Sequence, residues 1–250
     1  MVTAILGPNP SRLHPLAPGI LKKDPEEASV TGVLITVEGV EGSGKSTQLL
    51  RLSEHLRRLG LPIVVSKEPG GTPLGRDLRT LLLTRHPSGE AWCAEAELLL
   101  FYADRAQHLA QVIRPAIEAG KIVLVDRFED STRAYQGAAG VPEHTLDRLH
   151  ELVVGRLKPH LTLLLDMDPA IGLQRVEIRN LSMGDEFKET LFDERRLEFH
   201  TAVRARFLAI AQAEPLRVAV IPARDAPSLV EESIWRRVAP LLRNAGFTVE

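Results

Sequence analysis

The chain has 250 residues, 44% apolar and 26% charged, an ordinary globular composition that excludes a disordered tail and a collagen-like repeat. No run approaches the 18 or more uncharged apolar residues that a membrane span needs. Lys and Arg total 31 against 33 Asp and Glu, a formal charge of −2, without the basic excess of a general nucleic-acid binder.

Residues 1–30 carry five prolines, Pro8, Pro10, Pro15, Pro18 and Pro25, and show no apolar period. They are expected to form a mobile proline-rich extension ahead of one domain over 31–250. The extension lacks a charged start followed by a long apolar run, so it makes a poor secretory signal. From there on, short continuous apolar runs predict strands at Val33–Val37, Ile63–Val65, Ile122–Val125, Leu161–Leu165 and Val218–Ile221. Amphipathic stretches between them predict helices at Ser46–Leu59, Gly75–Leu83, Ala94–Ala119, His144–Leu157, Ile171–Arg179, Glu194–Ala213 and Leu229–Leu242. Runs rich in β-branched residues and lacking alternation suit a parallel sheet covered on both faces. The alternation of strand and helix predicts an α/β fold of three layers with a five-stranded parallel sheet. Gly60, in Leu59-Gly60-Leu61-Pro62, marks the end of the first helix. The lone Cys93 cannot close an internal disulfide, which fits a reducing, cytoplasmic setting, and reads as a small packed residue. His14, His55, His86, His144, His150, His160 and His200 show no ligand spacing, so no zinc site is expected.

Between the first strand and the first helix stands Gly39-Val40-Glu41-Gly42-Ser43-Gly44-Lys45-Ser46-Thr47, a match to G-x-x-x-x-G-K-[ST] in its required context. Glycines let backbone N–H groups wrap an anion, and the helix N-terminus adds a favourable dipole. Lys45 reaches the β and γ phosphates in such loops, and the Ser46 hydroxyl ligates Mg²⁺. ATP is the default triphosphate, because no guanine-reading N-K-x-D occurs. A phosphoryl-transfer kinase needs a second anion site lined by arginines. Strands of an open parallel sheet bind ligands at their carboxyl ends, so Asp126-Arg127 belongs near this loop, either as part of the site or as an ion pair capping the strand. Phe101 and Arg105 share a helix face. They can stack a base and bond its edge, although a lone phenylalanine is more often core.

Four pieces combine here: Glu41 in the loop, Glu68-Pro69-Gly70-Gly71-Thr72, Phe101-Tyr102-Ala103-Asp104-Arg105-Ala106-Gln107-His108, and the D-R-x-x-x-S-x-x-A-Y-Q-G string from Asp126 to Gly137. Together they resemble the bacterial thymidylate kinase family, from about Val33 to about Leu242. The resemblance implies a P-loop kinase fold with a short lid over about 179–192, and transfer of phosphate from ATP to dTMP with Mg²⁺, in dTTP biosynthesis, by a homodimer. It implies that Phe101 stacks on thymine and that Arg105 reaches base and phosphate. Thr132 and Gln136 would read the pyrimidine edge, Tyr135 would lie against C2′, and Glu41 would accept from the 3′-hydroxyl. Arg127, Arg79 and the Pro69 loop complete the acceptor site, with Asp126 beside Ser46 at the metal. Arg76 and Lys67 read as solvated charges, Phe128 as packing beside Asp126-Arg127, and Tyr102 as core. The loop variables Val40, Glu41, Gly42 and Ser43 include no arginine, so the lid side must supply the catalytic one, Arg179 first and Arg175 next. The chain departs from the family pattern at Gly137-Ala138-Ala139-Gly140-Val141, at Leu191 and at Ile221-Pro222-Ala223. The remaining alternatives are a kinase of another (deoxy)pyrimidine monophosphate and a non-catalytic nucleotide-binding relative.

Overall fold

The computed structural model describes residues 32–183 and 196–249. The proline-rich extension over 1–30 and most of the expected lid, Leu191 included, lie outside the described residues.

Five strands, β1 (Val33–Glu38), β2 (Ile63–Lys67), β3 (Ile122–Asp126), β4 (Leu161–Asp166) and β5 (Val218–Pro222), form a sheet in the order β2-β3-β1-β4-β5. All pairings are parallel. Every residue of the central β1 is buried, which is why its sequence is a continuous apolar run rather than an alternation. Successive side chains point to opposite faces. Val33, Ile35 and Val37 join a core with Leu49, Leu52 and Leu56 of α1 (Lys45–Arg58) and Val230, Ile234 and Val238 of α9 (Pro227–Asn244). Leu34, with Val123 and Val125 of β3, joins a second core with Leu98 and Tyr102 of α3 (Ala94–His108) and Leu146 of α6 (Glu143–Val153). The three-layer expectation therefore holds, and each layer follows from the period of the sequence.

The remaining helices are α2 (Pro73–Leu83), α4 (Arg114–Glu118), α5 (Glu129–Ala138), α7 (Pro169–Met183) and α8 (Leu197–Ala213). Helix α1 stops where expected: Gly60 takes φ 71, and the Leu61 N–H donates to the Leu56 carbonyl at 3.1 Å. The stretch predicted as one helix over Ala94–Ala119 is continuous but not uniform. A π-helical segment, Leu109–Ile113, separates α3 from α4, just ahead of Pro115, which has no N–H to give to the preceding turn. Helix α6 ends sooner than its apolar pattern, where Gly155 takes φ 67, while α7 runs longer at both ends than Ile171–Arg179. Helix α5 has no counterpart among the predicted helices. Cys93 is exposed rather than packed. It occupies the N-cap position of α3, more than a turn ahead of Leu98, the first buried residue of that helix.

Candidate active site

The pairing of β1 with β3 sets Val37 opposite Asp126. The loops leaving these two strands therefore share one end of the sheet. They border a cavity of about 500 Å³, lined by Glu41 to Thr47, Pro69, Arg79, Phe101, Arg105, Asp126, Arg127, Thr132, Tyr135, Gln136, Arg175 and Arg179 among others. Of the sequence-predicted site residues, only Gly39 and Val40 do not line it. Their carbonyls instead accept from Lys45 Nζ at 3.0 and 2.8 Å. The loop lies tight against α7. A Cβ on Gly42 would overlap the Gly172 carbonyl oxygen, and one on Gly172 would overlap the Glu41 carbonyl oxygen. Burial and the neighbouring Arg127 lower Lys45 to about 8, against the opposing pull of Asp126, Glu41 and Glu38.

Beyond β3 the chain turns sharply at Arg127, whose φ of 65 places a non-glycine residue in the left-handed region, a conformation that costs roughly 1–3 kcal/mol. Surrounding contacts hold it there. The Arg127 N–H donates to Val37 O at 3.0 Å. Its guanidinium donates to Gly39 O at 3.2 Å, Ser131 Oγ at 3.1 Å and Glu41 Oε1 at 3.1 Å. Beneath the turn, the buried Glu38 accepts from Phe128 N at 2.7 Å, Ser131 N at 3.3 Å and Ser131 Oγ at 2.5 Å. Burial, reinforced by Asp130, pushes the Glu38 carboxyl up to about 8 despite the hydrogen bond from Ser131 and the nearby Arg127. Ser46 Oγ donates to Asp126 Oδ2 at 3.1 Å, so the two expected metal residues do meet. A hydroxyl and a carboxylate are hard oxygen donors that suit Mg²⁺, which keeps several waters and takes its other ligands from phosphates.

The opposite wall is built from α3, α5 and the loop after β2. Arg105 is wholly buried. Its Nε donates to Glu68 Oε2 at 2.9 Å, Nη1 to Glu129 Oε2 at 3.0 Å and Nη2 to Thr132 Oγ1 at 2.9 Å. Sequence reasoning made it a ligand arm; the structure adds that two carboxylates fix its plane. Glu68 is in turn held by His108 Nδ1 at 2.8 Å, and His108 Nε2 meets Ser66 Oγ at 2.7 Å. Asp104 accepts the Gly70 N–H at 3.0 Å. Burial and the nearby Glu68 raise it to about 6. Arg79 donates to Pro69 O at 3.0 Å, and Gln136 Nε2 donates to Glu97 Oε1 at 2.9 Å. Tyr135 donates to the Glu41 carboxylate, its oxygen 2.6 and 2.7 Å from Oε1 and Oε2. Burial alone would raise Glu41, but His200, Arg127, Lys45 and Tyr135 together hold it well below the usual carboxylate range. Tyr102 points into the core, bonding Glu129 and Leu146 O, and Phe128 is buried beside the turn, both as expected. On the third side, α7 brings Arg175 and Arg179 to the cavity near Val176, Ala223, Asp225 and Pro227.

Sequence reasoning missed Glu38, Glu68, Asp104, His108, Ser131 and His200. Five of these stand inside the quoted strings or next to the loop, but nothing local marks their tasks, since each acts on a partner far along the chain. Geometrically, the cavity sets an anion-wrapping loop with its lysine against an arginine that already touches that loop. That arrangement suits phosphate-bearing ligands.

Comparison with known proteins agrees with this geometry. The family model described as thymidylate kinase matches residues 37–234. The chain is 47% identical over 211 residues to a thymidylate kinase of Solidesulfovibrio magneticus, covering 84% of this chain and all of that protein. It is 46% identical over 215 residues to a thymidylate kinase of Desulfovibrio desulfuricans, covering 86% and 98%. The crystal structure of a thymidylate kinase from Ehrlichia chaffeensis superposes with a TM-score of 0.67 at 30% identity, covering 83% of this chain and 99% of that one. The chain belongs to the thymidylate kinase family.

Proposed function

We propose that the protein transfers the γ-phosphoryl group of ATP to dTMP, giving ADP and dTDP, in the supply of dTTP. The observation that carries this is the contact of Arg127 with both Gly39 O and Glu41: the acceptor-side arginine is already joined to the phosphate loop. The attacking atom is a phosphate oxygen of dTMP, so no strong general base is needed, and the reaction runs on positioning and charge stabilisation. The bond from the γ phosphorus to the bridging oxygen breaks as the bond to the acceptor oxygen forms, and ADP leaves with the electron pair. Lys45 swings from the loop carbonyls onto the β and γ phosphates. Arg127 and Arg79 hold the acceptor phosphate, and Arg179 spreads charge from the α7 side. Ser46, with Asp126 beside it, would hold Mg²⁺, which would supply charge neutralisation at the phosphate oxygens. Phe101 stacks on the base, Arg105, Thr132 and Gln136 face its edge, Tyr135 excludes a 2′-hydroxyl, and Glu41 accepts from the 3′-hydroxyl.

No described helix is long and apolar enough to cross a membrane, and a cytoplasmic setting is part of the proposal. So is pairing of two copies, supported by the exposed Leu74, Leu81 and Leu99 on α2 and α3. The test is ADP release with dTMP, dUMP, TMP and CMP as acceptors, repeated with Arg179→Ala. Turnover should be fastest with dTMP and should fall in the variant. Absence of turnover with every acceptor refutes the kinase reading, and unchanged turnover in the variant removes Arg179 from the mechanism.

A further inference from the structure

We infer that His200, which does not itself line the cavity, positions Glu41 for the acceptor's 3′-hydroxyl and so sets the preference for a 3′-hydroxylated nucleotide. The inference rests on the assignment of Glu41 to that hydroxyl. His200 lies on α8 with no solvent exposure. Its Nδ1 stands 3.1 Å from Glu41 Oε2, within ion-pair reach but short of hydrogen-bond alignment, and neither ring nitrogen has a hydrogen-bond partner among the described residues. A buried imidazole left in that state is costly, and the polar group within ion-pair reach of it among the described residues is the Glu41 carboxylate. Glu41 is gripped from three separate elements: Tyr135 of α5 at both oxygens, Arg127 of the turn after β3 at Oε1, and His200 of α8 at Oε2. Such a carboxylate keeps one rotamer at the edge of the cavity that Glu41 lines, where an acceptor hydroxyl would share its oxygens with Tyr135. Helix α8 steadies the other member of the pair as well. Phe199 and Phe207 meet the Tyr135 ring edge-on, with centroids 6.2 and 6.1 Å away. A histidine that only filled space would affect folding without distinguishing acceptors. One that aims Glu41 changes how a single hydroxyl of the acceptor is read.

The experiment measures KM and kcat of the full chain with dTMP and with 3′-deoxythymidine monophosphate, for wild type, His200→Leu, His200→Asn and His200→Gln, with thermal melts of each. Loss of the acceptor hydroxyl's hydrogen bond to a Glu41 that is no longer aimed predicts an increase of about tenfold in KM for dTMP in the Leu and Gln variants. The KM for the 3′-deoxy acceptor and for ATP should stay within about twofold, the scatter expected of an independent site. The Asn variant, whose amide nitrogen falls where Nδ1 stood, should restore the preference. If the Leu variant does not fold, the Gln and Asn pair decides: preference lost in Gln and kept in Asn supports the inference, and equal behaviour overturns it. An equal KM increase for both acceptors, or none, also overturns it. A wild type that takes both acceptors equally well refutes the Glu41 assignment itself and the inference with it, whereas a wild-type preference that survives His200→Leu and His200→Gln refutes His200 alone.

Discussion

Glu38 offers a perturbation in which size and charge can be separated. Its carboxyl carries the turn that presents Arg127, through Phe128 N, Ser131 N and Ser131 Oγ. In Glu38→Ala the two backbone donors lose their acceptor inside the protein, while the Ser131 hydroxyl keeps its contact with Arg127. At about 1–3 kcal/mol for each stranded group, the loss is about 2–6 kcal/mol, a large part of a typical domain's stability. The strained Arg127 backbone would then relax, and misplacement of that guanidinium by about 1 Å lowers kcat by about a hundredfold. Glu38→Gln should behave otherwise. The folded carboxyl is raised from 4.5 to about 8, so at neutral pH it is protonated and an amide replaces it closely. Between pH 4.5 and 8 the folded state holds a proton that the unfolded state has released, so wild-type stability falls as pH rises, by about 1.4 kcal/mol for each unit. Across the whole window this amounts to about 5 kcal/mol. The Gln variant lacks this term. Denaturant unfolding from pH 5 to about 9 should therefore show Glu38→Gln gaining on wild type as pH rises, with kcat preserved. A Gln variant that is destabilised by the same amount at every pH, or that loses kcat like the Ala variant, refutes the reasoning.

Two further outcomes follow from the loop. Lys45 sits at about 8 in the free protein, so kcat/KM for ATP should decline above that pH as the lysine loses its charge; a profile flat to about pH 10 would contradict the burial argument. Gly172→Ala pushes a methyl into the Glu41 carbonyl oxygen, which should cost about 1–3 kcal/mol in stability and raise KM for ATP by displacing the loop; an unchanged melting temperature and KM would show that α7 can move aside.

The inner strands β1, β3 and β4 were legible because burial on both faces leaves no choice but a continuous apolar run, and Gly39 to Thr47 because an anion loop needs glycine at fixed spacing. Helix α5 was not. Its first turn, Glu129-Asp130-Ser131-Thr132, is wholly polar, and Asp130, Ser131 and Thr132 are poor helix formers. The signal that could have found it is the pair of acidic residues at a helix N-terminus. The braces of the site were hidden for a different reason. Glu38 meets Phe128 across 90 residues, and Glu68 meets His108 across 40. A pattern within one segment identifies the side chain that faces a ligand, but the residue that holds that side chain still is chosen by the tertiary fold. Arg105 shows both halves: its place on α3 was readable, and its clamp between Glu68 and Glu129 was not. Cys93 shows the limit of composition, since a small apolar residue at a helix start has no core to enter.

The central place of β1 also bears on how the chain is made. Its two neighbours are β3 and β4, through Val33 beside Ile122 and Ile35 beside Leu161. Nearly ninety residues must leave the ribosome after β1 before its first partner exists, which at roughly 5–20 residues per second is a wait of roughly 4–18 s. The strand that carries the phosphate loop is thus the first of the five synthesised and must stay unpaired, its Val, Leu and Ile side chains uncovered, while β2 and the helices α1 to α4 emerge. Pairings of such long range make for slow folding and exposure to aggregation. Any ribosome stalled before Leu161 displays a nucleotide-binding segment that has no second neighbour to hold it.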